Sequence, residues 1–320
     1  MELKHQLPAE HTRRKTGKLF FLKKELLRNK YVYLMLIPVV AYYLIFSYGP
    51  MYGLVMAFQK SYSPIKGIWA GEWIGLDNFK MFFDSYYFWR IIKNTLILSF
   101  YSILFGFPAP IILALLLHEV RKKWFRSTVQ TVSYMPHFIS VVVVVGMLKT
   151  FSALDGGLFN VVRSFFDMQP VMFLAEKDMF RPLYILSNIW QGAGWASIIF
   201  LAALSGIDPQ LYEASKIDGA GRWKQLLHVT LPGIMPTVVV MLILRLGAVM
   251  NSDFQKILLM QTAPTYETSD VISTFVYRSG ILEGNYTYST AIGLINGVIN
   301  FSLLLMANSI SKKVNSTSLW

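Results

Sequence analysis

The chain has 320 residues, 54% of them hydrophobic and only 15% charged, and it contains no cysteine. A soluble domain needs about a quarter of its residues charged to cover its surface, so much of this surface faces lipid. A disulfide framework and a cysteine-based metal site or nucleophile are excluded. The formal net charge of +12 fits either nucleic-acid contact or the Lys/Arg bias of cytoplasmic membrane loops, and its distribution decides between them.

In chain order, the first 30 residues are basic. Leu19, Phe20, Leu22, Leu26 and Leu27 interleave there with Lys18, Lys23, Lys24 and Arg28, and the spacing 19, 22, 26 lines one helical face. This predicts an amphipathic helix lying in the inner membrane interface. The first apolar run comes too late and is too long for the apolar region of a cleaved signal peptide. Six apolar segments follow, at 31–58, 94–117, 132–148, 183–206, 233–251 and 289–311. A bilayer crossing needs roughly 20 residues at about 1.5 Å each. The third segment is the weakest, with a firm core at 138–148 preceded by Pro136 and His137. The expected fold is all-α and polytopic, with a basic tail over 1–30, a membrane domain over 31–311 and a short tail over 312–320.

An even number of spans puts both ends on one side. Connections 1–30, 118–131, 207–232 and 312–320 hold 18 of the 30 Lys and Arg in 79 residues, whereas 59–93, 149–182 and 252–288 hold 11 in 106. The denser set is cytoplasmic by the positive-inside rule, so both termini are expected inside. The charge then reads as topology rather than as a nucleic-acid surface. The aromatic run Tyr86-Tyr87-Phe88-Trp89 fits an interfacial belt.

The cytoplasmic connection 207–232 reads IDPQLYEASKIDGAGRWKQLLHVTLP. Asp208 suits an N-cap and Pro209 the first helical position, so a short helix is expected to Ile217. Gly219 suits a left-handed stop. A second short helix is expected over 222–228, with the next membrane helix starting at Pro232. Such a helix–turn–helix presents a knob to a cytosolic partner.

The spacing Glu213-Ala214-Ser215, three residues, Gly219, nine residues, Val229, one residue, Leu231-Pro232 resembles the E-A-A loop of ABC importer permeases. Ser215 and Val229 are conservative departures. The run Ile217-Asp218-Gly219-Ala220 is similar to the sugar-importing branch, as is Gly75-Leu76-Asp77-Asn78-Phe79 before the second span. Leu244-Arg245-Leu246-Gly247, Tyr277-Arg278-Ser279-Gly280 and Ser318-Leu319-Trp320 resemble permeases for plant-polysaccharide fragments such as pectin or xylan oligosaccharides. That subgroup often has Gly-Phe-Glu-Gln where this chain has Asp253-Phe254-Gln255-Lys256.

The resemblance implies a type I importer permease in a bacterial plasma membrane. It implies assembly with a second, homologous permease subunit, two copies of a cytosolic ABC ATPase and an extracellular sugar-binding protein. It further implies that Glu213 pairs with a basic residue of the ATPase and that Gly219 permits the turn. Leu211, Tyr212, Ile217 and Trp223 would supply apolar contacts around Ala214, Ser215 and Asp218. ATP and Mg would be bound by the partner ATPases, with no cofactor in this chain. Consistently, no G-x-x-x-x-G-K-[ST] phosphate loop occurs: Thr16-Gly17-Lys18 lacks the upstream glycine and is followed by Leu19.

Polar groups inside a membrane usually face a cavity or a bundle interior. The fourth span carries Asn188, Trp190, Gln191 and Trp195, and the fifth carries Arg245 with Asn251 and Asp253 at its end. The sixth carries Asn296 and Asn300, with Gly293 and Gly297 on the same face. Amides and tryptophans suit sugar hydroxyls and rings, so these residues are the expected substrate path. They equally suit helix–helix bonding and interfacial anchoring. Arg245 either pairs with Asp253 or binds an acidic sugar such as a uronate. The five His residues form no metal-ligand spacing, and no catalytic constellation is present. A secondary transporter would need a carboxylate well inside a span, and an embedded enzyme would need paired titratable groups there. The sequence has neither.

Overall fold

The computed structural model describes residues 28–248, 250 and 253–315. The amphipathic stretch around residues 18–27, Asn251 and the ending Ser318-Leu319-Trp320 lie outside the described residues. By its internal contacts the chain divides between Leu54 and Val55.

The first apolar span, α1 (Lys30–Phe58), is 29 residues long. That exceeds the about 30 Å hydrocarbon core at about 1.5 Å per residue. No residue of Lys30–Tyr43 is buried.

Among the described residues the regular elements of the second unit are all helices, apart from an isolated antiparallel bridge between Gln59 and Trp73. It contains α2 (Asp77–Phe83), α3 (Phe88–Glu119), α4 (Lys123–Phe138) and α5 (Val141–Phe151). Next come α6 (Leu158–Ser164), α7 (Lys177–Ser205), α8 (Pro209–Ile217) and α9 (Arg222–Gly247). The last are α10 (Phe254–Met260), α11 (Ile272–Tyr277) and α12 (Tyr286–Asn315). Among the described residues, α1, α3, α7, α9 and α12 are each long and apolar enough to cross a membrane.

The third expected span is not a straight helix. It is a bent pair, α4 and α5, meeting at 99°. Pro136 removes a backbone donor, and Ile139 and Ser140 adopt extended backbone with ψ of 130° and 147°. Ser140 then restarts the helix by accepting the Val143 N–H at 3.4 Å. Six spans result only if this pair counts as one.

Three apolar clusters hold the unit together. Leu98, Val145, Phe180, Ile185 and Ile257 join α3, α5, α7 and α10. Phe82, Ile91, Ile272 and Ile292 join α2, α3, α11 and α12. Leu117, Phe200, Leu204 and Ile234 join α3, α7 and α9. Asn78 of the Gly-Leu-Asp-Asn-Phe element is buried and donates to the carbonyls of Ala57 and Gln59 at 2.9 and 2.8 Å. That motif therefore ties α2 to the chain preceding it.

Close helix approach occurs at Gly194, not at Gly293 or Gly297. A Cβ at Gly194 would overlap the Ser133 carbonyl oxygen of α4, whereas Cβ atoms at 293 and 297 meet nothing within 4 Å. Gly194→Ala must therefore push α7 off α4. Overpacking of this kind costs about 1–3 kcal/mol, and we expect a measurable fall in the thermal midpoint of purified protein. Gly293→Ala should leave that midpoint unchanged.

Candidate functional site

Two places carry the sequence-derived candidates: the short segment before α9, and a cavity between the long helices.

In the first, Asp208 caps α8 by accepting the Gln210 N–H at 2.9 Å. The helix ends where the Gly219 N–H donates to the Lys216 carbonyl at 3.0 Å and Ala220 N–H to Ser215 at 2.9 Å. Gly219 has φ +74°, the left-handed conformation that glycine adopts without a Cβ penalty. The expected α8 and its stop are thus observed. The expected second short helix over 222–228 is corrected. Arg222 begins a rod that runs to Gly247 through a widened turn at Leu226–Thr230. That turn lies just before Pro232, whose missing N–H breaks the regular ladder.

The Tyr212 hydroxyl meets Thr230 Oγ1 at 3.0 Å, which braces α8 against the foot of α9. Tyr212 is half-buried and Ser215 turns back to the Tyr212 carbonyl at 2.8 Å. The remaining side chains point outward: Ile217 is 87% exposed, Trp223 78% and Leu211 53%. Glu213, Ala214, Asp218 and Gly219 are exposed beside them. The braced hairpin thus presents three large apolar side chains to solvent.

The cavity has a volume of about 910 Å³. It is bordered by α3, the break between α4 and α5, α7, α9 and Asp253. Of the nine expected path residues, Asn188, Gln191, Arg245 and Asp253 line it. Asn188 and Gln191 lie with Tyr184 at helical spacing on one face of α7.

The others lie elsewhere. Trp195 stacks on His137 with ring centroids 4.8 Å apart, and Trp190 is 47% exposed, outside the lining. Asn300 accepts the Met250 N–H at 3.0 Å, the interhelical role that intramembrane amides commonly take. Asn296 does not line the cavity either, and Asn251 lies outside the described residues. Arg245 and Asp253 face the same space, yet no ion pair joins them among the described residues.

Sequence reasoning missed Lys256 and Tyr184. Lys256 is fully buried, and its Nζ donates to Asn188 Oδ1 at 2.7 Å and Gln191 Oε1 at 3.1 Å. Asp253 caps α10 by accepting the Lys256 N–H at 3.2 Å, and its own N–H donates to the Tyr184 hydroxyl at 3.1 Å. Burial pushes the Lys256 ammonium down to about 8, against the pull of Asp253. The signal available beforehand was the replacement of the subgroup's glutamine by lysine at this position.

The profile described as "binding-protein-dependent transport system inner membrane component" matches residues 106–316. The chain belongs to this family. It is the permease component of an ABC importer, a transport part rather than an enzyme, of the inner-membrane class. The permease is 44% identical over 293 residues to Protein LplB of Bacillus subtilis (strain 168), covering 92% of each chain. It is 43% identical over 296 residues to that organism's polygalacturonan/rhamnogalacturonan transport system permease protein YteP, again covering 92% of each. Among solved structures, a bacterial ABC transporter involved in import of the acidic polysaccharide alginate matches with a TM-score of 0.86 and 45% identity. That match covers 92% of this permease and 99% of the other chain. A second match, with a TM-score of 0.86 and 44% identity, is the alginate transporter in complex with an alginate pentasaccharide-bound periplasmic protein. It covers the same shares of the two chains.

Proposed function

We propose that this permease carries uronate-containing oligosaccharides, of the pectin or xylan type, across a bacterial plasma membrane. The carrying observation is the cavity whose lining holds Arg245, in no ion pair among the described residues, together with the amides of Asn188 and Gln191. Its volume falls in the range of about 300–1,000 Å³ that suits small-ligand sites, and a guanidinium pairs well with a carboxylate. One related permease is named for polygalacturonan/rhamnogalacturonan transport and one solved relative is involved in import of the acidic polysaccharide alginate, which supports the same chemistry.

The energy comes from elsewhere. A homologous second permease, two cytosolic ATPases that hold ATP and Mg, and an extracellular sugar-binding protein complete the assembly, with both termini of this chain in the cytoplasm. The exposed hairpin of Leu211, Glu213, Ile217 and Trp223 docks into the ATPase. Movement of that rigid element switches the cavity between the two sides of the membrane. A surface ion pair through Glu213 is worth only about 0–1 kcal/mol. Fully burying Ile217 is worth about 1.5–3 kcal/mol, so apolar burial dominates the docking.

The assembled importer in proteoliposomes tests this reading. Uptake of a labelled galacturonate oligomer should require ATP on the cytoplasmic side and should persist when ionophores collapse the ion gradients. Uptake that ignores ATP and dies with the gradient would establish a secondary transporter instead.

A further inference from the structure

Lys256 is a cation with no place in a lipid-embedded protein unless something holds it. It is fully buried, and among the described residues no carboxylate forms an ion pair with it. Two of its three donors go to the amide oxygens of Asn188 and Gln191. Both of those residues line the cavity while Lys256 itself does not, so the ammonium stands directly behind the wall.

The consequence for the two amides is geometric. An amide side chain has one acceptor end and one donor end. With Oε1 fixed on Lys256, the Gln191 Nε2 donates to the Ile139 carbonyl at 2.9 Å. Ile139 is the extended residue at the break between α4 and α5. One chain of bonds therefore runs from α10 through α7 to the bend. Asn188, held the same way, has its amide group toward Tyr184, whose hydroxyl accepts the Asp253 N–H.

The charge balance follows from the same residues. Arg245 and Asp253 line the cavity with opposite signs, and Lys256 behind them leaves the wall net positive. A buried ammonium acts through a low-dielectric layer, where its field is screened far less than at a surface.

We propose that Lys256 is a specificity-determining positioning residue. It orients Asn188 and Gln191 and biases the cavity toward oligosaccharides that carry carboxylates over neutral ones of the same size. The proposal rests on the acidic-sugar reading above. Its perturbed but still largely protonated state near neutral pH is consistent with this role.

The test compares galacturonate trimer with its carboxyl-reduced galactose counterpart, in the assembled importer with and without Lys256→Gln. The half-saturating concentration for the acidic trimer should rise about tenfold, a loss of roughly 1.4 kcal/mol. The half-saturating concentration for the neutral trimer should rise several-fold less, and the thermal midpoint and recovery of the assembled complex, measured alongside, certify that the variant is folded. Equal losses for both trimers, or no change in their ratio, would overturn the role of Lys256. A parent importer that is itself indifferent to the carboxylates would instead sink the substrate reading. The two failures are thus distinguishable.

Discussion

Gly219→Pro is expected to reduce uptake by at least about 100-fold while the protein still inserts in the membrane. Proline is locked near φ −65°, and Gly219 sits at φ +74°. The ring also deletes the N–H that closes α8 on the Lys216 carbonyl. Both changes fall on the turn between α8 and α9, so the hairpin loses its shape while the spans keep theirs. Gly219→Ala separates backbone strain from crowding. Its Cβ meets nothing within 4 Å, so its cost is only the left-handed penalty of about 1–2 kcal/mol, and most transport should survive. On the proposed docking, Glu213→Lys should also abolish uptake by setting a like charge against the basic ATPase residue that Glu213 is proposed to meet. Surface abundance and substrate uptake, measured side by side, check all three variants.

The second large effect is structural and lies far along the chain from the hairpin. Asp270 is buried and bonds to Arg90 at 3.1 Å, Arg278 at 2.6 Å and Thr274 at 3.1 Å. Its carbonyl accepts from Asn94, whose own oxygen accepts from Arg181 at 2.9 Å. Burial opposes the Arg278 charge, yet the hydrogen bonds and charge of Asp270 outweigh it, and the pKa of Arg278 is raised. The Asp270 carboxylate therefore pins α3 to α11 and the turn after it, while the Asp270 backbone carbonyl, through Asn94 and Arg181, adds α7. Removing one partner of such a network leaves uncompensated charge and costs about 3–5 kcal/mol. The two arginine side chains remain 26% and 23% exposed, which places Asp270→Asn at the lower end. By the usual scaling of about 2–4 °C per kcal/mol, the thermal midpoint in detergent should fall by about 6–12 °C. A midpoint unchanged within error would mean that water already solvates both arginines.

Much of this architecture was legible because its causes are local. Long apolar runs specify spanning helices without reference to any neighbour, and α1, α3, α7, α9 and α12 lie where hydropathy puts them. The cap at Asp208, the proline after it and Gly219 specify α8 by backbone chemistry alone. The break at Ile139 was half legible. Pro136 marked it, but the 99° angle depends on how α5 packs under α7 and α10.

The cavity was the hard part, because partners far apart in sequence assemble it. Composition favoured Trp190 and Trp195, yet one is outside the lining and the other stacks on a histidine 58 positions earlier. By sequence alone Lys256 falls among the outer-loop charges, since a lysine is almost never fully buried unless paired. Only the tertiary contact with Asn188 and Gln191 supplies those partners.

The proposed importer mechanism requires another subunit to grip the hairpin around Ile217. Because the chain has no native cysteine, Ile217→Cys gives a unique label site at a position 87% exposed in the isolated chain. We predict that a maleimide reacts fast with the isolated permease and at least about tenfold more slowly in the complex with its ATPases. Equal rates in both would mean that nothing covers the hairpin, and would contradict the coupling role on which the importer mechanism depends.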